Sequence, residues 1–368
     1  MAEQKRIKAR KRISRAGSGG YSLYIPKQWI KSWTDEQNKD KEVDMFSLGD
    51  QLVLTPKMMI RSIRASAGDM SNYELKQYIV SSYVNGADEF ILNSDRLSDS
   101  LIGESRNIIR LLDENLVPGS NTNEVSYSNR SDVIRDTDAL CSLLFDKVIE
   151  GENLAVDLLT YFDINPKRSI QILKIMYALE EEDIDRIAFQ ALRKLSKFDS
   201  SSRTLTDLNV KWMAADSLER IGDNLYAIAC LVSSSYGLER EMLRYPVEYL
   251  EEHAMKSGVK VPKNIEDLKE HSVSDMKTCS QMLQNVKEII LKRDGKKAAG
   301  ISKEISEYRQ KREREFWEKL GILSPLSHDG KQCIFLCNMI DARVRETLYL
   351  IEGMTKRAGL VYFVGDSN

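Results

Sequence analysis

The sequence predicts a mainly α-helical protein with a small β-rich module at its N-terminal end and a short α+β segment after it. From about residue 131 onward, apolar residues recur three and four positions apart, which is the spacing of amphipathic helices. Residues 1–57 instead contain short segments with the two-residue alternation of β-strands. A chain of 368 residues is also too long for one ordinary hydrophobic core. Two or three domains are therefore expected.

The N-terminal module is predicted to contain at least three strands. Tyr21, Leu23 and Ile25 recur at the two-residue spacing of a half-buried strand. Residues 43–48 and 52–54 are predicted to be two short strands joined by a turn. A module of this size holds few large apolar side chains, so we expect it to be completed by a second copy in a homodimer.

Residues 58–130 are predicted to be a mixed α/β connecting region. Helical spacing is present over 73–85 and over 100–112, and residues 89–92 are a short strand candidate. Residues 118–130 are rich in Gly, Ser and Asn, so they are predicted to be a loop. No functional residue is predicted in this region.

The remainder of the chain is predicted to fold into two tandem three-helix bundles, over residues 131–240 and 241–368. Pro, Gly and Ser residues separate six long segments with helical spacing, and the short connections favour antiparallel packing. These segments are 132–160, 165–196, 207–236, 265–294, 298–319 and 331–357.

Charge is distributed unevenly along the chain. The totals are close, with 54 Lys and Arg against 56 Asp and Glu. Residues 1–15, however, contain seven basic residues and one acidic residue, a net +6, which leaves −8 over the rest of the chain. Such asymmetry is typical of a protein with one end that faces nucleic acid. The alternative is a basic tail without a folded structure.

Composition also predicts where the protein resides. No apolar run approaches the ~18 residues of a membrane span, and the longest, 225–232, is predicted to be a buried helix segment. The basic N-terminus is not followed by the apolar stretch of a secretory signal. The five cysteines form no CxxC pair, which favours reduced thiols in a cytoplasmic protein.

Common catalytic motifs are absent from the sequence, so the chain is predicted not to be an enzyme and to need no organic cofactor. Its three histidines, His253, His271 and His328, lie in different segments without zinc-ligand spacing. The glycines at 17–20 are not followed by the Gly-Lys-Ser/Thr of a P-loop, and there is no GxSxG nucleophile motif.

The segments RISRAGSGGYSLYIPKQWI and VDMFSLGDQLVLTP resemble the SpoVT/AbrB-like swapped-hairpin family over residues 8–56. The resemblance implies a β-barrel formed by two interleaved chains, in which arginines on one face contact double-stranded DNA. The chain departs from the family by a longer polar insert at Thr34–Lys41. Carried over to this sequence, the DNA-binding residues are Arg10, Arg12 and Arg15, with Lys8 and Lys11 as phosphate contacts.

Two predicted helices carry acidic residues four positions apart, which places both carboxylates of each pair on one face. The pairs are Glu181–Asp185 and Glu219–Asp223. If the two helices are neighbours, four carboxylates converge, and they repel one another unless a cation, protons or arginines compensate. Oxygen-only ligands suit hard cations such as Mg²⁺, Ca²⁺, Mn²⁺ or iron.

An alternative interpretation applies to the acidic stretch Glu180–Asp183 taken alone. It is a solvated face whose charges pair with Arg186 and Arg220.

The segment LERIGDNLYAIA resembles the signature helix of the PhoU family of phosphate-uptake regulators, and EEEDIDRIAFQALRKL resembles the helix before it. The resemblance covers about residues 131–357. It implies that the carboxylate pairs bind a metal cluster, with Fe, Mn, Mg, Ca and Zn not distinguished. In the second bundle, Asp341 is followed four residues later by Arg345, so that bundle is predicted to be degenerate and unable to bind a cation.

Together the two resemblances imply a cytoplasmic, homodimeric transcriptional regulator of phosphate uptake, of archaeal type, that binds DNA and senses a metal or a partner. The first alternative is a PhoU-type adaptor that docks a phosphate transporter or a signalling protein without binding DNA. The second is a carboxylate-bridged metalloenzyme, which is disfavoured because no histidine accompanies the acidic pairs.

Overall fold

The structure is a computed structural model in which most of the described residues are helical. It describes residues 13–16, 20–23, 25, 43–48, 51–56, 62–66, 70–93, 99–113, 116–118, 124–129, 136–162, 164–197, 204–257, 266–322 and 328–365. The chain divides into two compact units, Met1–Met59 and Ile60–Asn368.

The first unit contains two antiparallel strand pairs. Strand β1 (Ile13–Ala16) pairs with β2 (Gly20–Leu23), and β3 (Val43–Leu48) pairs with β4 (Gln51–Pro56). Both pairs are close in sequence, as the alternating pattern and the turn at residues 49–50 predicted. The predicted strands at 43–48 and 52–54 are therefore confirmed in position, and β2 contains the predicted Tyr21 and Leu23 but ends before Ile25.

The second unit begins with an α+β region that contains a four-stranded sheet and two helices. The sheet order is β5-β6-β8-β7; β5 and β6 are parallel, and the other two pairs are antiparallel. Its elements are β5 (Ser62–Ser66), α1 (Asn72–Val84), β6 (Glu89–Asn93), α2 (Asp99–Leu112), β7 (Leu116–Pro118) and β8 (Glu124–Asn129). Helices α1 and α2 supply buried side chains to the same core as the central strands. The helices predicted at 73–85 and 100–112 and the strand at 89–92 are confirmed.

The prediction of a loop over 118–130 was wrong for its second half, because β8 pairs with β6 on one side and β7 on the other. Val125 and Tyr127 are buried in the core, and they alternate with Ser126 and Ser128. This alternation is a strand pattern, but the surrounding Ser and Asn residues obscured it.

Long helices follow, and the six predicted helical segments are confirmed in position. They are α3 (Thr137–Tyr161), α4 (Pro166–Ala178), α5 (Asp185–Ser196), α6 (Leu205–Ser234), α7 (Val247–Ser257), α8 (Glu266–Lys292), α9 (Gly295–Ile322) and α10 (His328–Gly365). Two features differ from the prediction. A π-helical turn, Leu179–Ile184, joins α4 to α5 within the predicted segment 165–196. A short 3₁₀ turn, Arg240–Arg244, and the helix α7 after it lie between two predicted segments, and the sequence analysis predicted neither of them.

The helices share one hydrophobic core. Helix α3 packs against α8, and α6 packs against α10. Buried residues from α3 to α10 form one continuous cluster. None of the helices in the described part of the chain combines the length and the apolar composition that a membrane span requires.

Arg193 on α5 joins the α+β region to the helices. Its guanidinium is buried and donates hydrogen bonds to the carbonyl oxygens of Tyr83 (3.0 Å) and Ala87 (2.6 Å) and to Asp88 (3.0 Å). The guanidinium also lies over the ring of Tyr83, 4.7 Å from its centroid. Lys197 forms a second ion pair with Asp88. These contacts hold the end of α1 against α5.

Candidate functional site

The π-helical turn changes which acidic side chains share a face. The backbone N–H of Asp185 donates to the carbonyl oxygen of Glu180, five residues earlier, instead of to Glu181 as in an α-helix. The wider turn brings Glu180 onto the side of Asp185. The predicted pair of Glu181 with Asp185 was therefore incomplete, and the acidic residue that the sequence analysis missed is Glu180.

Gly222 on α6 allows the two acidic segments to approach closely. A Cβ atom at this position would lie 2.7 Å from Cγ2 of Ile184, in the π-turn. Any larger residue would therefore force the Ile184 side chain or the two segments to shift. Glu219 and Asp223 lie on either side of Gly222 in sequence, so the close contact brings them beside the π-turn.

Glu180, Asp185, Glu219 and Asp223 form a cluster of carboxyl groups, called the carboxyl cluster below. Burial, followed by the negative charges of Asp185, Glu181 and Asp223, raises the pKa of Glu180 to about 9. Burial and the charge of Asp223 raise the pKa of Asp185 to about 7. Burial and the charges of Asp223 and Asp185 raise the pKa of Glu219 to about 8. The cluster therefore holds protons at neutral pH.

Asp223 is the most exposed of the four carboxyl groups. Its pKa is also raised, mainly by burial, but a hydrogen bond from Glu180 and the charge of Lys76 oppose this effect. None of the four carboxyl groups forms an ion pair with a described Lys or Arg. Protons thus take the place of counterions in this arrangement.

Glu181 lies at the border of the cluster and has its own partner. Arg240 in the 3₁₀ turn forms an ion pair with it at 2.9 Å, and the same guanidinium lies over the ring of Tyr226. Glu181 is therefore neutralised by an arginine, unlike the four members of the carboxyl cluster.

The acidic stretch Glu180–Asp183 was alternatively interpreted as a solvated face whose charges pair with Arg186 and Arg220, and the structure agrees with this only in part. Asp183 pairs with Arg186 at 3.0 Å and with Lys147 at 3.1 Å. Arg220 instead pairs with Glu346 of α10, at 3.4 Å. The interpretation of a solvated, arginine-paired face holds for Asp183 and is wrong for Glu180, whose side chain is only 7% exposed.

A cleft of about 810 Å³ adjoins the carboxyl cluster. Helices α1 and α2 line one side of the cleft, and α4, the π-turn, α5 and the 3₁₀ turn line the other. Asp185 and Glu181 face the cleft from the second side, and Lys76 of α1 faces it from the first. The apolar part of the wall includes Val80, Ile108, Leu112 and Phe189. The cleft gives a ligand access to Asp185.

The donor set of the cluster suits a hard cation, because every candidate ligand atom is a carboxyl oxygen. As the side chains stand, no group of three or more His, Cys, Asp or Glu residues in the described part of the chain could hold a metal ion. Cation binding therefore requires loss of the protons and a change in side-chain rotamers.

Carboxylates of helices α8 and α10 have arginine partners. Arg345 pairs with Asp341 at 3.3 Å, within α10. Asp275 of α8 accepts hydrogen bonds from Tyr308 and Arg312 of α9. Each of these carboxylates thus has a hydrogen-bond donor or a cation of its own, in contrast to the carboxyl cluster.

The predicted DNA-binding residues lie at the other end of the sequence. Lys8, Arg10, Lys11 and Arg12 lie outside the described residues. The backbone of Arg15 is part of β1, where it stands opposite Tyr21 of β2.

Comparison with protein-family models, with curated proteins and with solved structures finds no match for this chain.

Proposed function

We propose that this chain is a non-enzymatic transcriptional regulator that binds double-stranded DNA through its N-terminal basic segment and a cation through its helical unit. The observation that carries the cation-binding part of the proposal is the carboxyl cluster, in which acidic side chains from two neighbouring segments converge without an ion pair to a described Lys or Arg. A divalent cation, Mn²⁺, Mg²⁺ or Ca²⁺, or an iron ion, is the ligand that such a donor set suits.

Glu219 and Asp223 on α6 and Asp185 after the π-turn would hold this cation, with Glu180 or Glu181 as a further ligand. The raised pKa values of Glu180, Asp185 and Glu219 mean that cation and protons compete for the same oxygens. Binding is therefore expected to strengthen as the pH rises from about 6 to 9.

The DNA-binding part of the proposal rests on charge and on the family resemblance. The strand β1 continues the basic segment, which carries a net charge of +6 over residues 1–15. We further propose that two copies associate through residues 1–57, and that the regulated process is phosphate uptake. The small size of the module supports association, since few large apolar side chains are available to it.

The experiment that tests DNA binding is a titration of duplex DNA at several salt concentrations. The matched comparison is between the triple variant Arg10→Glu/Arg12→Glu/Arg15→Glu and the triple variant Lys167→Glu/Lys292→Glu/Lys303→Glu. Both change the net charge by −6, but the second alters exposed lysines in weak surface ion pairs of the helical unit.

We expect the wild-type affinity to fall steeply with salt, because each phosphate contact releases counterions. The arginine variant is expected to lose about 100-fold or more in affinity at low salt, whereas the lysine variant retains binding. Equal losses in both variants, or no binding by the wild type at low salt, would refute the DNA-binding proposal.

A second candidate function is that of an adaptor that docks a phosphate transporter or a signalling protein. It is favoured by an exposed aromatic surface around α7, where the rings of Tyr245 and Tyr249 lie tilted with their centroids 5.0 Å apart and Met255 is 70% exposed. If the wild type fails to bind DNA, association of the purified chain with a phosphate transporter ATPase is the next measurement. A Tyr245→Ser/Tyr249→Ser variant that associates equally well would show that this aromatic surface does not mediate the association.

A further inference from the structure

The cleft of about 810 Å³ has the size of a small-molecule site, since such sites commonly span ~300–1,000 Å³. One of its walls comes from the α+β region and the other from the helices. Two cations, Lys174 of α4 and Arg244 of the 3₁₀ turn, line the second wall and are called the cation pair below. Both are placed to contact a ligand in the cleft.

The cation pair is held in position by uncharged acceptors. The ammonium group of Lys174 donates to the carbonyl oxygen of Tyr245 at 2.5 Å. Nε of Arg244 donates to the hydroxyl oxygen of Tyr177 at 2.6 Å. Lys174 and Tyr177 lie one turn apart on α4, and their two partners are consecutive in sequence, so the contacts lie side by side. These contacts orient both cations without neutralising either of them.

The cation pair has no acidic partner among the described residues. Lys174 and Arg244 form no ion pair with a described Asp or Glu, whereas Arg186 on the same wall pairs with Asp183 at 3.0 Å. Most N–H donors of the pair therefore remain free for a ligand. A guanidinium group binds a carboxylate or a phosphate through two parallel hydrogen bonds, and an ammonium group adds a point charge.

The acidic residues of the cleft leave the end beside the cation pair positive. Glu181 is already paired with an arginine of the 3₁₀ turn. Glu182 and Asp185 lie two and three turns beyond the lysine of the pair, about 10 and 15 Å along the helix axis. On the opposite wall, Lys76 and Glu104 contribute one charge of each sign. An anion at the cation pair thus meets two positive charges and no adjacent unpaired carboxylate of the same helix.

Apolar side chains continue the walls of the cleft beyond the cation pair. Tyr177, Ala178 and Phe189 belong to the wall from the helices, and Leu111 and Leu112 belong to the wall from α2. Leu111 is 42% exposed, although it is a large apolar residue. A ligand with an apolar body would cover these side chains and gain free energy from the apolar surface that it buries.

We propose that the cleft binds a small organic anion, whose carboxylate or phosphate head group contacts the cation pair and whose apolar body lies against α2 and α5. The ligand contacts the α+β region and the helices at once, because each supplies one wall. The cation pair is distinct from the carboxyl cluster and from the basic N-terminal segment. Failure of this proposal therefore leaves the proposed function unaffected, and the reverse also holds.

The first test compares three probes that share one fluorescent body and differ in charge. Dansylglycine is an anion, dansylamide is neutral and dansylcadaverine is a cation at neutral pH. Binding to the full chain is measured by the increase in dansyl fluorescence at constant ionic strength. Dansylglycine is expected to bind about fivefold or more tightly than dansylamide, and dansylcadaverine more weakly than both. Equal affinities of dansylglycine and dansylamide, tighter binding of dansylcadaverine, or no binding of dansylglycine would overturn the proposal.

The second test locates the head group. Lys174→Met/Arg244→Met is expected to bind dansylglycine only as tightly as the wild type binds dansylamide, with the affinity for dansylamide unchanged. Lys167→Met/Arg168→Met is the matched control, because it removes one lysine and one arginine from the first turn of α4, outside the cleft. The control is expected to keep the preference for the anion. Equal losses in both variants would contradict a head-group site at the cation pair.

The third test fills the cleft at Gly103 of α2. This glycine lines the cleft, and a Cβ atom there would meet nothing within 4 Å. Gly103→Phe is expected to weaken binding of dansylglycine about fivefold or more, because the ring occupies space that the ligand body needs. Gly300→Phe in α9 is the control, since its Cβ atom also meets nothing within 4 Å and it does not line the cleft. Undiminished binding in Gly103→Phe would place the probe elsewhere and overturn the proposal.

Competition with dansylglycine distinguishes the two kinds of head group. Phenylacetate and phenyl phosphate both carry an apolar ring, and displacement of the probe by one of them assigns the head group as carboxylate or phosphate. Inorganic phosphate at the same ionic strength is expected to compete much more weakly than the better of the two. If inorganic phosphate displaces the probe equally well, or if neither organic anion displaces it, the cleft is not a site for an organic anion.

Discussion

At the scale of single residues, Glu180 has the most unusual environment of the carboxyl cluster. It is 7% exposed, it lies among the negative charges of Asp185, Glu181 and Asp223, and no described Lys or Arg pairs with it. A carboxylate in this position is costly unless it is protonated or a cation joins it. The residue therefore couples the stability of the helical unit to pH.

The first prediction concerns this coupling. The unfolded chain ionises Glu180 near its ordinary pKa, whereas the folded protein holds the proton to a pKa of about 9. The folded state thus binds more protons between about pH 5 and pH 9, and stability falls as the pH rises through this window. Glu180→Gln is expected to be more stable than the wild type by on the order of 2 kcal/mol at pH 8, with little difference at pH 5.

The measurement is urea unfolding of metal-free protein at pH 5, 7 and 8. The matched control is Glu182→Gln, which removes an exposed carboxylate of the same turn. It is expected to follow the wild-type curve. A Glu180→Gln variant whose stability falls with pH as steeply as that of the wild type would contradict the assignment.

The second prediction concerns Gly222, whose lack of a side chain allows α6 to approach Ile184. Gly222→Ala is expected to destabilise the protein by about 1–3 kcal/mol, because the new methyl group has no space. Gly353→Ala in α10 is the control, since a Cβ atom there would meet nothing within 4 Å. That substitution is expected to stabilise the helix by up to about 1 kcal/mol. Equal effects in urea unfolding would show that the close approach at Gly222 does not matter.

At the scale of elements, the π-turn between α4 and α5 determines which carboxyl groups meet. A turn with one more residue than an α-turn brings Glu180 to the side of Asp185. The apolar residues before and after the turn keep their places in the core, because Leu179 and Ile184 are both buried. The turn thus accommodates an extra residue without displacing the helices on either side.

The third prediction follows from this description. Deleting the exposed Glu182 converts the turn to α-helical spacing, with Glu180 and Asp185 then four positions apart on one face. The deletion is expected to change the free energy of unfolding by less than about 1 kcal/mol and to retain Mn²⁺ binding. Deleting Ala188, which is buried in the regular helix α5, is expected to unfold the helical unit because it rotates every later side chain away from the core. Similar losses in both deletions would contradict the role of the π-turn.

The fourth prediction concerns the junction between the α+β region and α5. Arg193→Met leaves the carbonyl oxygen of Ala87 without its arginine donor and removes one of the donors to the carbonyl oxygen of Tyr83. The expected cost is about 2–4 kcal/mol, together with faster hydrogen exchange in α1. Arg168→Met is the control, because Arg168 also lies over a tyrosine ring, that of Tyr161, but is half-exposed. Its expected cost is below about 1 kcal/mol. Unchanged exchange in α1 of Arg193→Met would contradict the junction.

At the scale of the whole molecule, the apolar periodicity of the sequence was sufficient to predict the long helices. Their ends followed from local signals, such as the N-cap residues Asn165 and Thr204 and the proline at the start of α4. The strand β8 was missed because its Ser and Asn residues are typical of loops, and its pairing with β6 and β7 is a tertiary interaction.

The candidate site was predicted only in part, for a physical reason. The α-helical spacing of acidic residues predicted Asp185, Glu219 and Asp223. The structure retains this spacing for Glu219 and Asp223, which both lie on α6. Glu180 could not be predicted, because a π-turn leaves no distinct apolar pattern in six residues. Lys76 lies about 100 residues before the acidic helices, and only the packing of α1 against α5 brings it near them.

The proposed function is tested most directly by the DNA affinity with and without Mn²⁺ at matched ionic strength, which asks whether a cation at the carboxyl cluster changes DNA binding. The wild type is expected to change its affinity by about fivefold or more when Mn²⁺ is added, which is the lower end of typical coupling between two sites. The variant Asp185→Asn/Asp223→Asn is expected to bind DNA with an affinity that does not respond to Mn²⁺. The same response in the wild type and the variant would contradict the account, because the effect of the ion would then arise elsewhere.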